Sequence, residues 1–143
     1  MASTFPGKRR GEPMRLLIVE DEALVALEVE SILGSAGHEV IGTADTLHEA
    51  LEVAEAERPD LALVDIQLAE GNSGLDVAAA LKARGIPTLF ATGNCPTERG
   101  AGLALGCLHK PFTDRSLASA IDVADAVLRG QTPTRLPQAL HLY

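Results

Sequence analysis

Asp65 follows Leu61-Ala62-Leu63-Val64, a run apolar enough to be a strand buried on both faces. An ionised carboxylate is costly inside such a run, but not at its C-terminal tip, where open α/β sheets hold their ligands. Three other runs end in polar groups in the same way. Leu16-Leu17-Ile18-Val19 leads into Glu20-Asp21-Glu22, Thr88-Leu89-Phe90-Ala91 into Thr92, and Cys107-Leu108-His109 into Lys110-Pro111. If these strands run parallel, the acids, a hydroxyl and an ammonium gather at one edge of a sheet. Glu20, Asp21 and Asp65 in one cleft repel one another, so a proton or a cation must relieve them. A few hard oxygen ligands that leave room for water suit Mg²⁺. With that charge in place, a free Asp65 oxygen could attack a phosphoryl group, while Lys110 and Thr92 hold the transferred oxygens. Each tip is a weak signal alone, and the four in this order are a strong one. A solvated acidic rim is the bland alternative.

Parallel strands need crossovers, and the sequence supplies them. Helical spacing runs from Glu22 to about Gly34, with Val25, Val29, Ile32 and Leu33 on one face. A strand from Glu39 to Ala44 follows. Thr46-Leu47-His48-Glu49 matches a capping box and opens a helix that turns Leu47, Ala50, Leu51 and Ala54 inward. Ser73 caps a helix to about Ala83. Residues 93–106 are glycine-rich, so only a short helix is predicted there, over Glu98 to Leu105. The last helix runs from Asp114 to Arg129, with Leu117, Ile121, Ala124 and Leu128 at helical spacing. This alternation predicts a doubly wound α/β fold, five parallel strands in flavodoxin-like order 2-1-3-4-5. Residues 1–13 read as a disordered leader, 14–129 as one domain and 130–143 as an irregular tail, with no output domain after it.

A net charge of −8 argues against a nucleic-acid-binding surface. The one basic cluster, Lys8-Arg9-Arg10, lies in the Gly/Pro-rich leader and reads as a solvated terminus. No apolar stretch is long enough to span a bilayer, and no apolar core follows the basic N-terminal residues, so neither a membrane span nor a secretory signal is predicted. The expected compartment is the cytoplasm. Cys95 and Cys107 lack metal-ligand spacing, and a reducing compartment disfavours a disulfide. Both are therefore expected to be small, buried or half-buried hydrophobes. The four histidines are scattered, and none is assigned a phosphotransfer role.

The strand tips together resemble the receiver domain of two-component response regulators, over residues 15–129. The matching residues are Glu20-Asp21, Asp65, Thr92 and Lys110-Pro111-Phe112. The resemblance implies that Asp65 is the phosphoacceptor. It implies that Asp21, Asp65 and the Gln67 backbone carbonyl ligate Mg²⁺ directly, with Glu20 acting mainly through water. Thr92 and Lys110 would contact the phosphoryl group, and the Lys110–Pro111 bond would be cis. Gln67 and Asn94 stand where the family tunes loss of the phosphoryl group, and they suggest slow to moderate self-dephosphorylation. Phe90-Ala91-Thr92-Gly93 also looks like the Phe-Ala-Thr-Gly-x-Tyr motif common among alphaproteobacterial single-domain regulators, with Cys95 where that motif has tyrosine. Cys107 likewise takes the place of an aromatic residue that swings inward on phosphorylation. Gly93, Cys95 and Cys107 therefore mark an altered switch region, and an ordering or shift of residues 93–106 is the expected response in its place.

By that resemblance the chain is a single-domain response regulator. It would accept a phosphoryl group from a sensor histidine kinase or a phosphotransfer protein, as a monomer or weak homodimer. It would signal through an output protein that the sequence does not name, or serve as a phosphate sink. No catalysis is expected beyond self-phosphorylation and self-dephosphorylation. Two rivals stand beside this reading. One is an unphosphorylated binding module, which the missing aromatic switch favours. The other is a Mg²⁺-dependent phosphatase of the haloacid dehalogenase type, which needs a second acid two residues after its nucleophile, where Gln67 stands.

Overall fold

The computed structural model describes residues 12–68, 73–97, 100 and 102–143. Its strands are β1 (Arg15–Val19), β2 (Glu39–Ala44), β3 (Leu61–Val64), β4 (Thr88–Thr92), β5 (Gly106–His109) and β6 (Leu140–Leu142). The helices are α1 (Ala23–Ser35), α2 (Leu47–Glu57), α3 (Gly74–Ala83) and α4 (Asp114–Leu128). The sheet order is β2-β1-β3-β4-β5-β6. The first five strands are parallel, in the order expected, and β6 adds to the β5 edge in the antiparallel sense.

The period-2 alternation of the strands builds two apolar layers. Leu16, Ile18, Leu61, Leu63, Leu89 and Leu108 face one side, under α1 and α4. Leu17, Val19, Ala62, Val64, Phe90 and Cys107 face the other, under α2 and α3. Both faces of the central strands are thus covered, which is why their sequences are continuously apolar. Each fully buried leucine contributes about 2 kcal/mol relative to an exposed one. Small residues let the helices sit close: Ala50 and Ala54 on α2, and Ala78 on α3, are buried against the second layer.

The helix starts follow their capping residues. Thr46 Oγ1 accepts from the Glu49 amide at 3.2 Å, but only this half of the predicted box forms, because the Glu49 carboxylate turns to Asp45. At α3, Ser73 Oγ accepts from the Leu75 amide at 3.1 Å and Asp76 accepts from the Ser73 amide at 3.0 Å. This cap fixes α3 directly behind the Asp65 tip, since the Gly74 amide donates to the Ile66 carbonyl at 2.7 Å.

Two expectations are corrected. Residues 130–143 are not wholly irregular: Leu140 pairs with Leu108 and His141 with Cys107, and Leu140 joins the first apolar layer. Pairing with a distant strand edge gives this short run its backbone partners, which no local periodicity reveals. Over 93–106 no helix forms among the described residues; a turn at Gly102 and Leu103 leads into β5, and the Leu105 amide donates to the Thr88 carbonyl. Its glycines and sparse large apolar residues give no helical periodicity, and Leu103, Ala104 and Leu105 pack against the apolar layers without a helix. Residues 98, 99 and 101, on which part of the predicted helix falls, lie outside the described residues, as do 1–11 of the predicted leader.

Candidate functional site

The C-terminal tips of β1, β3 and β5 converge. Glu20 follows β1 and is fixed by the hydrogen bond its amide donates to the Ala44 carbonyl, while the Asp65 amide donates to the Val19 carbonyl. Glu20, Asp21 and Asp65 each offer an oxygen within 4.8 Å of the others. Lys110 reaches in from the end of β5. Its Nζ donates to Glu20 Oε1 at 2.7 Å and to Asp65 Oδ2 at 3.3 Å. Glu20 and Asp65 are buried and Asp21 is exposed, so the cluster has a dry floor and an open mouth. Ile18, Val29, Leu63, Ala91 and Phe112 line the floor together with Glu20, Asp65 and Lys110.

The electrostatics follow from that floor. Burial pushes the Glu20 carboxyl above its ordinary 4.5, against the hydrogen bond from Lys110 and with the Asp65 charge adding to the rise. Burial alone would lower the Lys110 ammonium, but its bond to Glu20 and the charges of Asp65 and Glu20 outweigh it and hold Lys110 above 10.5. One ammonium does not balance three carboxylates, so the cluster stays net negative. Hard carboxylate oxygens this close, one of them facing water, fit a small divalent cation such as Mg²⁺.

The other predicted residues lie around this centre. The Gln67 amide donates to Asp65 Oδ1 at 3.2 Å, so Gln67 reaches the cluster through its backbone N–H. Thr92 is buried at the end of β4, where its carbonyl accepts from the Lys110 amide at 2.9 Å. The Asn94 amide stands 3.5 Å from the Thr92 hydroxyl. Gly93, Asn94 and the Gln67 side chain are exposed. The Lys110–Pro111 peptide is cis.

The switch region holds the largest correction. Cys95 and Cys107 are not separate small hydrophobes but partners in a disulfide, with Cα atoms 5.9 Å apart. The expectation applied a rule about compartments and missed the topology. Thr92 and His109 end neighbouring strands; Cys107 lies within β5 beside Phe90, and the segment that leaves β4 after Thr92 brings Cys95 to it. The sequence reading also missed Tyr143. Its hydroxyl donates to the Pro96 carbonyl, its amide donates to the Leu105 carbonyl, and its ring fills the space that a side chain at Gly100 would need.

Among the described residues no helix is long and apolar enough to cross a membrane. Comparison with known proteins places the chain. The family profile described as "Response regulator receiver domain" matches residues 16–122. The phyllosphere-induced regulator PhyR of Methylorubrum extorquens is 49% identical over 79 residues, 54% of this chain and 30% of that protein. The transcriptional regulatory protein PdtaR of Mycobacterium tuberculosis is 35% identical over 118 residues, 78% of this chain and 57% of that protein. The chain thus spans about a third to just over half the length of these curated relatives. Among solved structures, the signal receiver domain of a modulated diguanylate cyclase from Desulfovibrio desulfuricans G20 superposes with a TM-score of 0.74 at 34% identity, covering 82% of this chain and 97% of that one. With the sheet order, the strand tips and the profile in agreement, the chain belongs to the receiver domain family of two-component response regulators.

Proposed function

We propose that this receiver takes up a phosphoryl group on Asp65 from a histidine kinase or phosphotransfer protein, and that the phosphorylated form changes its contacts with another protein. The observation that carries the reading is the ion pairing of Lys110 with both Glu20 and Asp65 beside the exposed Asp21. Asp65 lies at a strand tip with one oxygen bonded by the Gln67 amide and the other by Lys110. That fixes the carboxylate for in-line attack on phosphorus, in which an oxygen–phosphorus bond forms as the donor's bond to phosphorus breaks. A Mg²⁺ held by Glu20, Asp21 and Asp65 would supply the positive charge that the transferred oxygens need. Lys110 shifts from pairing two carboxylates to pairing the new phosphoryl oxygens, and the Thr92 hydroxyl donates to them from the neighbouring tip. Gln67 and Asn94 sit exposed at the mouth, where they meet any water that attacks the acyl phosphate.

The test is intact mass after incubation with Mg²⁺ and acetyl phosphate. A single phosphoryl adduct is expected on the native chain and none on Asp65→Asn. An adduct on both, or no adduct on a native chain shown to bind Mg²⁺, overturns the assignment of Asp65.

A further inference from the structure

The Cys95–Cys107 bond joins two places that differ in how firmly they are held. Cys107 is fully buried in the middle of β5, paired with Phe90 on one side and His141 on the other. Cys95 is half-buried in the segment that leaves β4, between the exposed Asn94 and the half-buried Pro96. Among the described residues, the other hydrogen bonds from Gly93 to Thr97 are the Asn94 amide at the Thr92 hydroxyl and the Tyr143 hydroxyl at the Pro96 carbonyl. These are single hydrogen bonds, each contributing about 1 kcal/mol. The covalent bond is thus the main constraint holding this segment against the sheet, and the segment begins at Thr92.

We propose that Cys95–Cys107 is a thiol–disulfide exchange site, open to a vicinal dithiol reductant, whose oxidation state sets whether residues 93–97 are fixed on β5 or free to move. The exposure of the two cysteines sets the direction of attack. A reductant thiolate reaches Cys95 Sγ first and forms a sulfur–sulfur bond to it. The Cys95–Cys107 bond breaks, and the Cys107 sulfur leaves with the electron pair and takes a proton. The reductant's second thiolate then attacks its own sulfur in the mixed disulfide and releases Cys95, which is protonated in turn. Two electrons and two protons pass to the cysteine pair, and the reductant departs as a disulfide. A disulfide oxidant runs the sequence backwards.

The exchange site stands independently of phosphorylation. Only its consequence for signalling rests on the function proposed above: a phosphoryl group on Asp65 that draws on Thr92 can carry residues 93–97 with it in the dithiol form, and cannot in the disulfide form. The site thus acts as a gate on the switch.

The experiment uses the full chain in its oxidised form, treated with dithiothreitol under native conditions. Thiols are trapped with N-ethylmaleimide after quenching in denaturant and counted by intact mass. Amide exchange is followed at Asn94, whose amide is bonded to the Thr92 hydroxyl. The expected result is no labelled cysteine before treatment, two after it, and exchange at the Asn94 amide faster by about fivefold, the factor that a hydrogen bond of about 1 kcal/mol contributes. Cys95→Ser, which leaves the buried Cys107 in place, should exchange like the reduced chain and ignore dithiothreitol. The same loosening is expected in Asp65→Asn, and a further change on adding acetyl phosphate only in the reduced native chain. A bond that resists dithiothreitol until the protein unfolds, or equal exchange at the Asn94 amide in both redox forms, overturns the exchange site. An equal response to acetyl phosphate in both forms overturns the gate. Loosening on reduction with no phosphoryl adduct on the native chain would leave the redox site standing and sink the phosphoacceptor reading.

Discussion

Replacing Lys110 by methionine is expected to cost the metal-free protein about 3 kcal/mol at neutral pH, the usual loss when one partner of a buried ion pair is removed. The Glu20 and Asp65 side chains are only 5% and 9% exposed, and Lys110 is the one cation paired with either among the described residues. Without it, two carboxylates face each other over an apolar floor. The deficit should depend on pH in a definite sense. Folding raises the Glu20 carboxyl, chiefly through burial, and Lys110 opposes that rise, so the variant raises it further. A carboxyl raised on folding contributes its stability in full below its unfolded value and loses it as pH climbs through the folded one. The deficit should therefore shrink as the solution is made mildly acid and Glu20 takes a proton. Lys110 in the native chain is itself raised on folding, so on the alkaline side its contribution holds up to about 10.5 and is lost as pH rises through its folded value. Urea unfolding in a chelator, from neutral to mildly acid pH, measures the deficit and its decline. A deficit that grows on acidification would contradict this account of the cluster. Added Mg²⁺ should stabilise the variant more than the native chain, because it meets carboxylates that have no other cation.

Gly74→Ala should be the other costly change, at about 3 kcal/mol, the upper end of ordinary overpacking. A Cβ there would lie 2.1 Å from the Asp65 carbonyl oxygen and 2.7 Å from the Ile66 Cα. Both are backbone, so neither can turn aside. Relief comes only by moving the start of α3 or the tip of β3, and the second moves Asp65. Phosphoryl uptake and Mg²⁺ affinity should fall along with stability. Gly34→Ala, near the C-terminal end of α1 with nothing within 4 Å, should instead stabilise by up to about 1 kcal/mol. Equal effects at the two positions in urea unfolding would contradict the packing argument.

The contrast between these glycines shows what the sequence could and could not convey. Leu61 to Val64 announced a strand covered on both sides, and Asp65 announced a charged cluster at its tip, because each residue type carries a burial cost that its neighbours reveal. Gly74 read only as part of a helix start, since its close approach to the Asp65 backbone exists only once α3 packs behind β3. Glu49 read as half of a reciprocal cap until Asp45 competed for it. The cysteines were legible in principle. Parallel β4 and β5 put Cys107 beside Phe90, and a chain that turns back after Thr92 can bring Cys95 over it. β6 was not legible, since three residues are too few for a period and their partner edge is more than thirty residues away in sequence.

Tyr143 gives the molecule an optical property of its own. It is the only tyrosine in the sequence, and there is no tryptophan. Its hydroxyl is bonded to Pro96, inside the segment that Cys95 anchors, and its ring meets the His141 ring edge-on at 5.5 Å. The near-ultraviolet absorbance and emission of this one chromophore therefore carry the state of its bond to that segment together with its contact with His141. Its native signal reads the state of residues 93–97 directly, without a label and without altering a side chain.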